Sequence, residues 1–225
     1  MDDPRSPARR VEAVIERRDP FWGPQLIVAA ALALDVFLPE RITLGPRWLL
    51  PSIEGALLLV LVAFSPHPRM RRSALRRQVA IGLIGLVSAV NIFSLYELCY
   101  RLLHHGTPNG RPLILAGVLL WITNVLLFGL WYWELDRGGP LARAAEPDRL
   151  PDFSFPQMTD PKLGPPGWMP GLIDYLYVSF TNATAFSPTD TMPLTQTAKL
   201  LMSAQSLTAL LIVGLVVARA VNILQ

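Results

Sequence analysis

Residues 112–133 read PLILAGVLLWITNVLLFGLWYW, twenty-two positions without a charge, and they decide the class of fold. A helix needs about 20 predominantly apolar residues to cross the hydrocarbon of a bilayer, and this run supplies them. Working outward, 78–103 and 198–218 are similar in length and apolarity. Residues 21–38 and 48–64 are shorter, each carrying one acid, Asp35 and Glu54. The whole chain of 225 residues is 52% hydrophobic and 16% charged, with 21 prolines and six tryptophans. A soluble nucleic-acid-binding domain is excluded: the net charge of +3 comes from basic residues in the connections between apolar runs, the distribution expected beside a membrane. Trp22, Trp48, Trp131 and Trp133 fall at run ends, where indole rings favour the interface.

Residues 1–20 are polar and of mixed charge. Within 8–18, Val11, Val14 and Ile15 share a helical face flanked by arginines, the pattern of a short helix in the headgroup layer. No signal-peptide cleavage site follows the first apolar run. Residues 136–171 are rich in Pro and Gly and predict an ordered but irregular loop outside the hydrocarbon. Residues 172–186 then give about four helical turns, too few to cross comfortably, and Ser187-Pro188 stops them. The expected fold is an all-α polytopic membrane helix bundle of five transmembrane helices plus one re-entrant half-membrane helix. It divides into a cytoplasmic segment (1–20), a four-span bundle (21–135), the Pro/Gly-rich loop (136–171), and a pore-loop-like helix with a final span (172–225). Irregular backbone at 187–195 is tolerated at depth only where protein buries it or it lines a wet cavity.

Charge orients the bundle. With the N-terminus in the cytoplasm and four spans following, 14 of the 20 basic residues, including Arg69, Arg71, Arg72, Arg76 and Arg77, fall inside. Counting Lys199 and Arg219 gives 15 inside and 5 outside whether 172–186 re-enters or crosses, so charge fixes the N-terminus and leaves five against six spans open.

Among polar residues, Asp35 and Glu54 are either protonatable or cation-binding groups, or acids that reach an interface or a partner helix. Glu97 and Arg101, four apart, share a face and can pair near the membrane edge. Gly82, Gly85 and Ala89 make a small-residue face suited to close helix packing. His104 and His105 stand in a short external loop, two potential metal ligands without a third. The single cysteine, Cys99, forms no intramolecular disulfide. No metalloprotease helix motif, phosphate-binding glycine loop or Ser/His/Asp set is present, so neither an enzyme nor a cofactor is expected.

The most informative stretch is 174–195, DYLYVSFTNATAFSPTDTMPLT. Aligned on Asp190, 180–195 resembles the pore loop of potassium-channel pore domains, an aromatic pore helix running into T-x-G-Y-G-D and then a proline. Phe180, Thr184, Asp190, Pro193 and Thr195 match in kind; Ala185, Ser187, Pro188 and Thr189 stand where the filter has Thr, Gly, Tyr and Gly. Those glycines let successive carbonyls turn inward, so potassium-selective geometry does not carry over. The whole layout is also similar to an uncharacterised family of bacterial multi-pass inner-membrane proteins of unknown function. Its elements are here Asp152, Phe153, Phe155 and Pro156, then 174–181 (DYLYVSFT), Thr189-Asp190, and 221–224 (VNIL). That similarity implies a fold and a location in the bacterial inner membrane, not an activity.

Potassium-channel pore loops enter from outside, whereas the arginine count places 136–171 in the cytoplasm. The expectation is therefore a re-entrant helix entering from the cytoplasmic side, with its polar end near mid-membrane. Its unpaired carbonyls, with Thr184, Ala185, Phe186, Ser187, Pro188, Thr189 and Asp190, would line a path for an inorganic cation in a homo-oligomeric, channel-like or transport-like protein. The alternative is a membrane scaffold in which the hairpin plugs the bundle, its hydroxyls met by Thr197, Ser203, Gln205, Ser206 and Thr208. The lipid bilayer is the partner in both readings; nucleic acid is not.

Overall fold

The computed structural model describes residues 23–36, 74–104, 110–146, 148–184 and 190–223, with scattered positions between 52 and 62. The expected surface helix at 8–18, most of the 48–64 run with Glu54, the Asp35 and Arg101 side chains, His105 and 185–189 lie outside the described residues. Among those described, the chain is mostly helical: α1 Gly23–Val36, α2 Ala74–His104, α3 Gly110–Leu135, α4 Pro140–Ala145, α5 Pro156–Thr159, α6 Leu172–Thr184 and α7 Gln196–Ile223. Two-residue strands β1 Phe153–Ser154 and β2 Met192–Pro193 pair antiparallel, Phe153 opposite Pro193.

Among the described residues, three helices are long and apolar enough to cross a membrane, over Arg77–Tyr100, Pro112–Gly138 and Gln196–Arg219. At 1.5 Å per residue, the shortest of these spans roughly 36 Å, against about 30 Å of hydrocarbon. This is the architecture of a helical membrane protein. In the first apolar run the described residues form a helix of 14 residues, about 21 Å long.

α3 is the central post. It packs against α1, α2, α6 and α7, and more than half of its apolar stretch is buried, whereas α2 and α7 leave most of theirs bare. A helix apolar on every side suits this position, since neighbours cover it all round. Two of its glycines set the packing distance. A Cβ at Gly117 would collide with Val216 of α7, and one at Gly129 would lie 2.6 Å from Leu176 Cδ2 and 3.1 Å from its Cα. Among the described residues the small-residue face expected on α2 makes no approach as close: the Cβ position of Gly85 lies 3.9 Å from Trp131 Cζ2. Gly82 has nothing within 4 Å of its Cβ position, and Ala89 is exposed. The close approaches fall on α3 because it is the helix with neighbours on all sides.

The main core gathers at the C-terminal end of α3, around Tyr132, Phe153, Tyr175, Leu83 and Leu130. A second cluster at the other end joins Leu95, Leu98, Leu120 and Ile212.

Candidate functional site

The site grows from the turn that ends α3. Arg137 adopts φ 53, and Gly138 and Gly139 follow at φ 79 and 98. A left-handed arginine is disfavoured by about 1–2 kcal/mol, and here its backbone N–H is held by the Asp152 carboxylate at 2.8 Å. Asp136, fully buried, is the hub: its carboxylate accepts from the Asp152 N–H at 2.7 Å and from the Tyr175 hydroxyl. Arg137 Nε lies 4.0 Å from the same carboxylate. Arg143, on α4 and buried, donates through Nη1 to the carbonyls of Trp133 and Asp136 and lies over the Trp133 and Tyr175 rings at 5.8 and 5.0 Å. A buried guanidinium needs such acceptors and ring faces to replace water. Asp152 then reaches forward, its Oδ1 accepting from the Thr195 hydroxyl at 2.7 Å and its carbonyl accepting from the Leu194 N–H at 2.8 Å.

This clasp has a topological consequence. The start of α6, through Tyr175, and the residues just before α7, through Leu194 and Thr195, are both fastened at the C-terminal end of α3. The far end of α6 lies well down the post, where the Trp121 indole N–H donates to the Ala183 carbonyl at 3.4 Å and Trp121 meets Phe180 edge-on. α7 runs on to Gly117. α6 therefore runs from the C-terminal end of α3 along its side for about 20 Å over 13 residues, and Leu194 and Thr195 stand again at the end where α6 began. Asp174 fixes the entry, its carboxylate accepting from the Gly171 N–H at 2.7 Å, the reciprocal half of a capping box.

Inside the hairpin, polar side chains of three helices are joined. Gln205 of α7, fully buried, donates to Ser179 O and Oγ at 2.9 and 2.6 Å and accepts from Tyr132 Oη at 2.6 Å and Asn182 Nδ2 at 2.8 Å. The Ser179 hydroxyl donates to the Val125 carbonyl at 2.7 Å, and Ser206 donates to Asn182 Oδ1 at 2.9 Å. Of the residues expected to meet the hairpin, Gln205 and Ser206 do; Thr197 and Ser203 are exposed, and Thr208 bonds to Ala204 of its own helix.

The candidate path residues are placed in part. Thr184 is half-buried and donates to the Thr181 carbonyl at 2.8 Å; Asp190 is exposed; 185–189 fall outside the described residues. Of the stretch 182–190 whose carbonyls were expected to be left for a cation, those of Asn182 and Ala183 meet side-chain donors, Ser206 and Trp121. No group of three or more His, Cys, Asp or Glu able to hold a metal occurs among the described residues.

Sequence reasoning missed the clasp. Asp136, Arg137 and Arg143 read as ordinary loop charges at the end of a span, although Asp152 directly before the alternating Phe153 and Phe155 was a signal of an ordered element. Phe153 and Phe155 both pack edge-on against Tyr175.

No protein family, curated protein or solved structure matches this chain.

Proposed function

We propose that the chain is a multi-pass protein of a bacterial inner membrane, N-terminus in the cytoplasm, with five spans and α6 as a re-entrant half-membrane helix. In this reading it is channel-like or transport-like, and Thr184–Asp190 line a path for an inorganic cation. The observation that carries the reading is the common fastening point: α6 and α7 both begin at the C-terminal end of α3, so a helix of half-membrane length ends where the chain must turn back. A backbone turned at that depth needs a polar lining or a wet cavity; Thr184 supplies a hydroxyl there, and Asp190, two residues before β2, supplies a carboxylate toward the mouth of the path. The resemblance of 180–195 to a pore loop, and the similarity of the layout to bacterial inner-membrane proteins, support the same reading. The bare surface of α7 leaves room for further copies around a shared axis.

The test is flux of monovalent cations into liposomes containing the purified protein. Asp190→Asn lowers the flux; flux equal to wild type removes the role given to Asp190.

A second reading, a non-transporting scaffold in which the hairpin plugs the bundle, draws on the satisfied Ser179–Asn182–Gln205 network. Protein that conducts nothing yet co-purifies with one stoichiometric partner favours it.

A further inference from the structure

α1, α2, the end of α3 and the Gly138-Gly139 turn line an open cleft of about 70 Å³. Val28, Ala80, Ile84 and Leu130 make one wall apolar. At the mouth, Arg77 Nε and Glu134 Oε1 stand 3.3 Å apart, the Glu134 side chain 7% exposed and that of Arg77 45%. Bare backbone closes the floor: a Cβ at Gly139 would lie 3.1 Å from the Glu134 carbonyl and 3.4 Å from its Oε1. The apolar span of α2 begins at Arg77 and that of α3 ends at Gly138. The charged pair thus stands at the level of lipid head groups and the apolar wall extends from it toward the hydrocarbon.

We propose that this cleft binds the head group of a zwitterionic phospholipid bearing a primary ammonium, a phosphoethanolamine lipid. The chemistry follows from the pair. The Arg77 fork meets phosphate oxygens by two parallel donors, while the Glu134 carboxylate accepts from the ammonium N–H groups. A purely anionic head group satisfies Arg77 and presses its charge against a buried carboxylate. A choline head group offers Glu134 a positive charge with no proton to donate. At about 70 Å³ the cleft takes the polar end of such a head group, and the rest of the lipid, acyl chains included, lies outside it along the apolar wall. Basic pockets between transmembrane helices are recurrent lipid sites; the acid in this one selects within them.

The experiment is native mass spectrometry of the full chain in detergent, titrated separately with phosphatidylethanolamine, phosphatidylglycerol and phosphatidylcholine of identical acyl chains. We expect the ethanolamine lipid to bind about tenfold more tightly than either, equivalent to about 1.4 kcal/mol. Glu134→Gln erases the preference over phosphatidylglycerol while retaining phosphate binding, and Ala80→Trp, which fills the cleft, abolishes the selective adduct. Equal binding of the three lipids by wild type overturns the proposal. So does a preference that survives in Glu134→Gln, a variant that changes one atom type and keeps the side chain's shape.

Discussion

The Tyr175 hydroxyl donates to the buried Asp136 carboxylate, 39 positions earlier in the chain, and by that contact fastens the first turn of α6 to the end of α3. Asp152 completes the fastening by binding the Arg137 N–H on one side and the Thr195 hydroxyl on the other. A carboxylate buried this deeply is tolerable only with several donors, and each donor here comes from a different part of the hairpin's base. The interaction that satisfies the charge is therefore the one that sets the topology.

Tyr175→Phe keeps the ring against Phe153, Phe155 and Arg143 and removes one donor from Asp136. Hydrogen bonds to charged groups contribute about 1.5–3 kcal/mol, so the variant should unfold measurably earlier in a detergent thermal-shift assay. The same variant carries a pH signature. Burial above all pushes the Tyr175 phenol above its ordinary value; the Arg143 guanidinium opposes this and the Asp136 carboxylate reinforces it. The folded state thus holds the proton more tightly than the unfolded state. Its contribution is full below the ordinary tyrosine value of about 10 and declines as pH rises past it. Between about pH 9 and 11, wild type should lose stability more steeply than Tyr175→Phe; parallel profiles would show that the phenol is not so held.

Gln205 meets four polar groups from two helices at once. Gln205→Leu should destabilise the fold by about 1–3 kcal/mol, since it strips donors and acceptors from buried partners. Ser179→Ala in the same background should cost less than it does alone. A double-mutant cycle reads the coupling, expected at 0.5 kcal/mol or more for groups in one network, roughly the range seen for interhelical bonds in membranes. Strict additivity would mean the two residues do not share the network.

Glycines separate the two faces of the bundle. Gly117→Leu and Gly129→Leu should each destabilise strongly, since their Cβ positions run into Val216 and into the Leu176 backbone. Gly82→Leu, on an open face, should leave the thermal midpoint close to wild type. Loss of folding in Gly82→Leu alone would show that the open face of α2 is covered in the assembled protein.

The long spans were legible from composition, because a helix apolar on all sides over 24 or more residues has few other stable settings. The short helix was legible from the length of 172–186; its cap at Asp174, seen only in the Gly171 N–H bond, was not. Nor was the clasp. Asp136, Arg143 and Asp152 look like any solvated loop charges, and their burial depends on Phe153, Phe155 and Trp168 folding back over Tyr175. The polar face of α7 was legible as needing partners, but which of its members found them was fixed by the rotation of α7 against α3, set at Gly117. No local pattern encodes that rotation.

The most direct measurement is sidedness. In a Cys99→Ala background, single cysteines at Gly164, Leu194 and Asn222 are labelled in right-side-out and inverted vesicles with a membrane-impermeant maleimide. We expect Gly164→Cys and Leu194→Cys to react from the same face and Asn222→Cys from the opposite one, as a hairpin that enters and leaves at the C-terminal end of α3 requires. Labelling of positions 164 and 194 from opposite faces would make α6 a crossing helix and contradict the account.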